Sequence, residues 1–522
     1  MRRVIRRLED LADRRLGAIV LFVVALAVYA VRAIGWPLMG GRDLDEYLYG
    51  YVQFLDWHPL LPWSMLFRTP VPGIVDGTAL DLAGGFFAEP LMAVLYAGSV
   101  VAWAVAARAF GTRAALLVAI ALLAYPAYGL MFHEVSSEPL FAAAFSLWAL
   151  LVVRATRVPS PARFALAGAG VALLALIRPG NAVLLAFAVF PFVLPGDRRQ
   201  RLTRAGAFLL AGLIPLVAWA VLNGVRFGDY ALARGGNAVI PFYRAFITDK
   251  IVSPENGPAS RRLGDAVRRH LVTREPYKSY DVTVADVFRS GSFRIHEDLY
   301  LLSDQYFGWD SNYSVLRKAG IEAVQKHPES YASGVLKTIW LQLSESYFRT
   351  PPAKHEPARA PPPDTGGKGT ALPAPTEGQP IPAGQSVWIS RPDNCIRDVW
   401  TSATAHHFTF CRPGMKRHLA AINRELDSLF AALPKRAPNS ELALRLDQAS
   451  RWYPRLILWI GLGLIALLFR RPRETRTLLA IPLAALAVIA LNALGLFADP
   501  HFALPVAPAF VFFGSCALLG RR

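Results

Sequence analysis

The chain has 522 residues, 54% of them hydrophobic, and a formal net charge of +18. So apolar a composition exceeds what a soluble domain needs to fill its core and sets that class aside. The charge alone would suit a nucleic-acid partner, but its placement along the chain gives it a different use.

Ten apolar runs of membrane-crossing character follow one another at 17–35, 88–107, 114–131, 139–153, 164–177, 180–195, 205–222, 455–469, 477–497 and 502–519. They predict an α-helical polytopic membrane protein with about 10 transmembrane helices and a large mixed extracytoplasmic domain between helices 7 and 8. The first run is followed by "GWPLMGGRD" and not by a small-residue cleavage site, so it reads as a retained helix. If the basic amino terminus is cytoplasmic, the cytoplasmic segments hold 21 arginines against five acids. That accounts for nearly all of the net charge by the positive-inside rule, and no nucleic acid is needed as a partner. These links are short and contain no phosphate loop or dinucleotide glycine fingerprint.

The same topology puts 36–87, 132–138, the break near 178, 223–453 and "FADPHF" (497–502) on the outer face. Residues 1–222 read as a transmembrane module whose first outer loop, 36–87, is amphipathic, and 454–522 as the closing helices. Within that loop, "YGYVQFLDWHPLLPWSMLF" (49–67) mixes Trp57, Trp63 and several leucines with Asp56 and His58, as an interfacial helix would. Just before it, "GRDLDEYLYGY" (41–51) sets Asp43, Asp45 and Glu46 at the edge of the membrane. A carboxylate beside a low-dielectric surface has a raised pKa and is a better base.

The outer domain, 223–453, carries a helical apolar pattern over 331–348, through Val335, Ile339, Trp340 and Leu343, that should pack back on the bundle. Residues 351–388 are rich in Pro and Gly and predict an extended or disordered insertion. Cys395 and Cys411 face an oxidising compartment in this topology and are expected to form a disulfide. Cys516, in the last apolar run, is expected to be plain helix packing.

Four short stretches resemble a known family. "DEYLY" (45–49) is similar to the D-E-x-x-Y element opening the first outer loop of polyprenyl-phosphate-dependent glycosyltransferases of the C superfamily, the group of protein mannosyltransferases and the aminoarabinose transferase of lipid A. "FRTP" (67–70), "SSEPLFAAAFSLWALLV" (136–152) and "GAGVALLALIRPGNAVLL" (168–185) resemble later elements of that family, in the family's order. The chain departs from it at Leu48, where many relatives have Arg, and at His501, which replaces a usual arginine.

The resemblance implies a membrane glycosyltransferase that moves a sugar from a polyprenyl-phosphate donor to an acceptor hydroxyl, with inversion, on the extracytoplasmic side. It implies Asp45 as the general base, Glu46 as its neighbour and Asp43 as a competitor for the role. Arg178 is the first candidate for the donor phosphate, since an intramembrane guanidinium wants an anion, and Arg68 and His501 are the next. His133, Glu134 and Glu138 could line the acceptor pocket or hold a divalent cation, though their spacing is not diagnostic of one. The acceptor is left open between glycan, lipid and protein. A transporter or flippase of lipid-linked saccharides is the alternative, but it would need polar groups deep within several helices, and these runs are largely free of them.

Overall fold

The computed structural model describes residues 15–60, 62–83, 85–236, 239–274, 277–278, 280–308, 311–345, 380–389, 396–402, 406–410, 414–434, 440–470, 474–496 and 499–520. Cys395, Cys411 and residues 351–379 lie outside the described residues, and the expected disulfide with them. Residues 380–389, at the end of the Pro/Gly-rich stretch, form a strand.

The first bundle starts with α1 (Arg15–Gly35), β1 (Met39–Gly40) and three short helices, α2 (Leu44–Val52), α3 (Pro62–Phe67) and α4 (Pro70–Ala83). It continues through α5 (Gly85–Arg108), α6 (Thr112–Leu123), α7 (Pro126–Met131), β2 (Glu134–Val135), α8 (Ser137–Arg157), α9 (Pro161–Ile177), the 3₁₀ helix α10 (Pro179–Val193) and α11 (Arg198–Phe227). After the insertion domain come α20 (Leu456–Arg470), α21 (Thr475–Gly495), a 3₁₀ turn α22 (Pro500–Val506) and α23 (Pro508–Leu519), the intervening labels belonging to that domain. Among the described residues six helices are long and apolar enough to cross a membrane and four shorter apolar helices accompany them. Together they match the ten apolar runs in order, and the protein is a polytopic helical membrane protein.

Two sequence expectations change in detail. The run 114–131 is broken, because Pro126 has no N–H to continue the ladder and α6 ends at Leu123. The stranded carbonyl end is met by Arg32 of α1, which donates Nη2 to Leu123 O at 2.7 Å and Nη1 to Tyr96 Oη at 3.0 Å. The stretch 49–67 is not one interfacial helix. α2 stops at Val52, and a turn around the Gln53 and Asp56 amides leads to α3.

Close helix approach relies on small residues. A Cβ on Gly168 of α9 would stand 2.0 Å from Phe208 O of α11, so these two helices cross in backbone contact. α11 opens with Asp197 accepting from Gln200 N at 2.7 Å, followed by Arg198, Arg199, Arg201 and Arg204. Four cations at a helix N-terminus oppose the helix dipole, so helix stability does not explain them.

The insertion domain, the stretch between α11 and α20, holds α12 (Val239–Thr248), α13 (Pro258–Ala266), α14 (Val284–Ser290), α15 (Phe293–Tyr306), α16 (Ser314–Lys326) and α17 (Pro328–Ser344). An antiparallel sheet β3 (Pro380–Ile389), β4 (Ile396–Ser402), β5 (His406–Phe410) and helices α18 (Met415–Ala431) and α19 (Ser440–Trp452) follow. Its own core gathers Phe242, Phe246, Leu263, Leu299, Leu302 and Leu316. As the apolar pattern of 331–348 predicts, α17 packs on α21. The join is polar and buried: Arg244 donates to Ala493 O at 2.8 Å and Leu496 O at 3.3 Å, and Tyr331 Oη donates to Leu494 O at 2.6 Å. These donors satisfy the last carbonyls of α21, while Asp249, 2.8 Å from Arg244 Nε, balances the charge.

Candidate active site

The polar segments between helices meet at one end of the bundle. β1 and β2 pair in parallel, Met39 opposite Glu134 and Gly40 opposite Val135, and Gly41 N extends the ladder to Val135 O at 3.0 Å. This splices the first loop to the 132–138 segment and starts α8 at Ser137 with Glu138 in its first turn.

Glu138 is 2% exposed, and three separate segments converge on it. Arg178 donates Nη2 to its Oε1 and Nε to Ser137 Oγ at 3.0 Å, and His501 Nε2 lies 3.0 Å from the same Oε1. Arg178 reaches it because Pro179 excludes helical backbone at the preceding residue. Arg178 is extended (φ −144°), and its side chain leaves the α9–α10 axis. His501 is set by α22, which Asp499 caps by accepting from His501 N at 2.9 Å. The other oxygen of Asp499 takes Arg42 Nη2 at 3.1 Å, so the first and last polar segments are ion-paired.

A second cluster lies on α2. Arg68 Nη2 is 2.9 Å from Asp43 Oδ2, and its Nε is 2.5 Å from Glu46 Oε2. Arg68 sits in the link between α3 and α4, and its neighbour Thr69 donates to Ile177 O at 2.9 Å, which pins that link beside Arg178. Asp43 precedes α2 in the left-handed region (φ 59°), a conformation that aspartate tolerates better than most residues. Gly73 of α4 lets α2 approach closely, since a Cβ there would stand 2.7 Å from Tyr47 O. Burial opposes the charge on Arg68, but Tyr47, Asp43 and Glu46 outweigh it and raise its pKa. Burial, followed by repulsion from Asp43 and Asp45 against the attraction of Arg68, leaves the Glu46 carboxyl above its ordinary value.

Asp45 is exposed on α2, and no ion pair joins it to another described residue. A shallow, half-open cavity adjoins the cluster, lined by Glu46, Tyr47 and Arg68 and also by the apolar Phe54, Ile74 and Trp219.

The remaining sequence candidates sit elsewhere. His133 is fully buried, stacked on Tyr29 with ring centroids 4.0 Å apart, and neither ring nitrogen has a hydrogen-bond partner among the described residues. Burial, with Arg32 adding to it, pushes its pKa down to about 3, so it is a neutral core residue. Glu134 is held in the β1–β2 ladder. Among the described residues no three His, Cys, Asp or Glu side chains are gathered as a metal site requires. Glu138, expected with His133 and Glu134 in an acceptor or cation pocket, is paired with Arg178 and His501.

Sequence reading missed Arg42, Asp499 and Asp76. Arg42 directly precedes the acidic motif, and Asp499 has the cap spacing, an acid two residues before the amide it binds. Asp76 of α4 is fully buried with both carboxylate oxygens unpaired among the described residues; burial and then Glu138 raise its pKa well above the usual range, which keeps it neutral. An isolated acid in an ordinary-looking helix carried no signal of this.

Residues 83–222 match the family model described as dolichyl-phosphate-mannose-protein mannosyltransferase. The match runs from the end of α4 into α11 and takes in the stretches 136–152 and 168–185, in line with the likeness to C-superfamily glycosyltransferases read from them, while 45–49 and 67–70 lie outside it. Curated proteins give no match. Among solved structures, the chain is similar to ArnT from Cupriavidus metallidurans bound to undecaprenyl phosphate at 14% identity and TM-score 0.34, over 97% of this chain and 77% of that one. It is also similar to the archaeal oligosaccharyltransferase AglB from Archaeoglobus fulgidus, in complex with an inhibitory peptide and a dolichol-phosphate, at 12% identity and TM-score 0.40. That alignment covers 96% of this chain and 50% of AglB, so the chain spans about half the length of that relative.

Proposed function

We propose that the protein is a membrane glycosyltransferase that transfers a sugar from a polyprenyl-phosphate donor to an acceptor hydroxyl on the extracytoplasmic side, with inversion. The observation that carries this reading is the meeting of Arg178, His501 and Arg68 with a set of carboxylates at one end of an apolar bundle, beside a cavity that is part apolar. A lipid-linked phosphate needs both halves of such a site: cations for the head group and apolar surface for the chain. The family matched over 83–222 is named for such a donor.

Arg178 has five N–H donors, and Glu138 and Ser137 engage those on Nη2 and Nε. Its Nη1 edge has no acceptor among the described residues, and it supports donor-phosphate binding with the guanidinium already oriented. His501 and Arg68 assist from the two sides. Asp45 takes the acceptor hydroxyl proton. The acceptor oxygen then bonds to the anomeric carbon opposite the phosphate, the carbon–oxygen bond to phosphate breaks, and its electrons leave on polyprenyl phosphate. Of the three acids in the motif, Asp45 is the one exposed and without an arginine partner among the described residues, which leaves its carboxylate open to an incoming hydroxyl. Glu46 and Asp43 hold Arg68 in place beside it.

Purified protein given a panel of polyprenyl-phosphate sugars is expected to release polyprenyl phosphate, and Asp45→Asn to suppress the release. Full release by the Asn variant removes Asp45 as base. Movement of lipid-linked sugar across vesicles without any release would make the protein a flippase.

A further inference from the structure

The insertion domain forms one side of the acidic cluster. Arg234 N donates to Leu66 O at 2.6 Å, fixing the start of the domain to α3. The ring of the next residue, Phe67, meets Tyr300 of α15 edge-on at 5.9 Å, and the Arg68 guanidinium lies 5.4 Å from that same Phe67 ring. His296, 2% exposed, stands edge-on between Tyr243 of α12 at 4.6 Å and Tyr300 at 4.5 Å, so the spacing of the two phenols is set by a buried ring. Tyr243 is within electrostatic reach of Arg42, Asp43, Arg68 and Glu297. Glu297, exposed one residue beyond His296, is within reach of Glu46. Tyr300 thus packs on the Phe67–Arg68 link, and His296 holds Tyr243 beside it, with Glu297 exposed on the next position of α15.

We infer that α12 and α15 form the acceptor wall of the site, with Glu297 and Tyr243 as acceptor-binding residues and a neutral polyhydroxylated acceptor, a glycan, as its ligand. The inference rests on the transferase reading above and names the acceptor that reading leaves open. A carboxylate accepts paired hydrogen bonds from neighbouring hydroxyls, and phenol rings offer both an apolar face for a sugar ring and a hydroxyl. The cations at this wall are already paired, Arg68 with Asp43 and Glu46 and Arg42 with Asp499, so an acceptor bearing phosphate or carboxylate would have to compete with those acids. A serine or threonine side chain offers one hydroxyl and leaves most of this wall without a partner.

The test uses the full-length protein in nanodiscs, with neutral oligosaccharides, hydroxyl-bearing peptides and a phosphorylated glycolipid offered separately as acceptors. Neutral oligosaccharides are expected to accelerate polyprenyl-phosphate release. Glu297→Gln and Tyr243→Phe are expected to raise the oligosaccharide KM about tenfold with a smaller change in kcat, as loss of one hydrogen bond to a charged group would. Acceleration by peptide or glycolipid in place of oligosaccharide, or an unchanged KM in both variants, overturns the inference. If wild type releases nothing from any donor, the transferase reading fails. A neutral-glycan array then decides the wall by itself: retention that Glu297→Gln abolishes supports it, and no retention ends it. Thermal unfolding of both variants confirms that each is folded.

Discussion

One oxygen of Glu138 serves Arg178 and His501 together, with the histidine Nε2 at 3.0 Å. A 2% exposed carboxylate thus joins residues that are 40 and 363 positions away in sequence. The placement of both side chains depends on this single acid.

Glu138→Gln should consequently do more than weaken one contact. It leaves Arg178 without its counter-charge, which costs roughly 3–5 kcal/mol when one partner of a buried pair is removed. Turnover should fall on the order of 100-fold, as when a preorganised electrostatic group is lost. Thermal unfolding and polyprenyl-phosphate release measure the two effects. A variant of wild-type stability and activity would detach Glu138 from the site.

Asp45→Asn and Asp43→Asn should separate chemistry from positioning. The first is expected to lower kcat by about 10²–10⁴ with little change in stability, since Asp45 is exposed. The second loosens Arg68 and should chiefly raise the donor KM. Steady-state kinetics with varied donor will tell them apart, and a reversed pattern moves the base to Asp43.

Arg244→Ala should release the insertion domain from the bundle. Arg244 is 1% exposed and Asp249 is 7% exposed, so the change strands a buried acid as well as the carbonyls of Ala493 and Leu496. A loss of about 3–5 kcal/mol is expected. Hydrogen exchange should accelerate over 239–345 while α5 to α11 keep their protection. Uniform exchange changes across the chain would contradict the latch.

His133 predicts a pH dependence of stability. Its folded pKa is lowered to about 3 from 6.5, so the unfolded chain binds its proton first. The stability tied to a neutral His133 is fully present above pH 6.5 and is lost as pH falls toward about 3. The loss should be about 1.4 kcal/mol for each unit below the unfolded value. His133→Phe keeps the stack on Tyr29 and should flatten the melting temperature between pH 7.5 and about 5. Equal slopes for the two proteins would exclude His133 as the source.

The membrane helices were legible because their signal is local: an apolar run or a break at proline shows within a few residues. The meeting of the 36–87, 132–138, 178 and 499–501 segments at one end also followed from counting spans. The pairing of side chains did not. Asp43, just before α2, and Glu46, in its first turn, are three apart and both take Arg68, whereas Asp45 between them is exposed and has no ion pair among the described residues. That spacing was available in the sequence; the identity of the partner was not. Asp76, Glu297 and Tyr243 were beyond reach, since their significance lies in what folds against them and no motif marks it.

The ion pair between Arg42 and Asp499 spans 457 positions of chain. It sets an order of events during synthesis. Arg42 and the acidic motif are made early, but their tie to Asp499 cannot close until α21 and α22 have formed. A nascent chain halted anywhere in the insertion domain carries the motif yet lacks Asp499 and His501, the partners that Arg42 and Glu138 take in the finished fold.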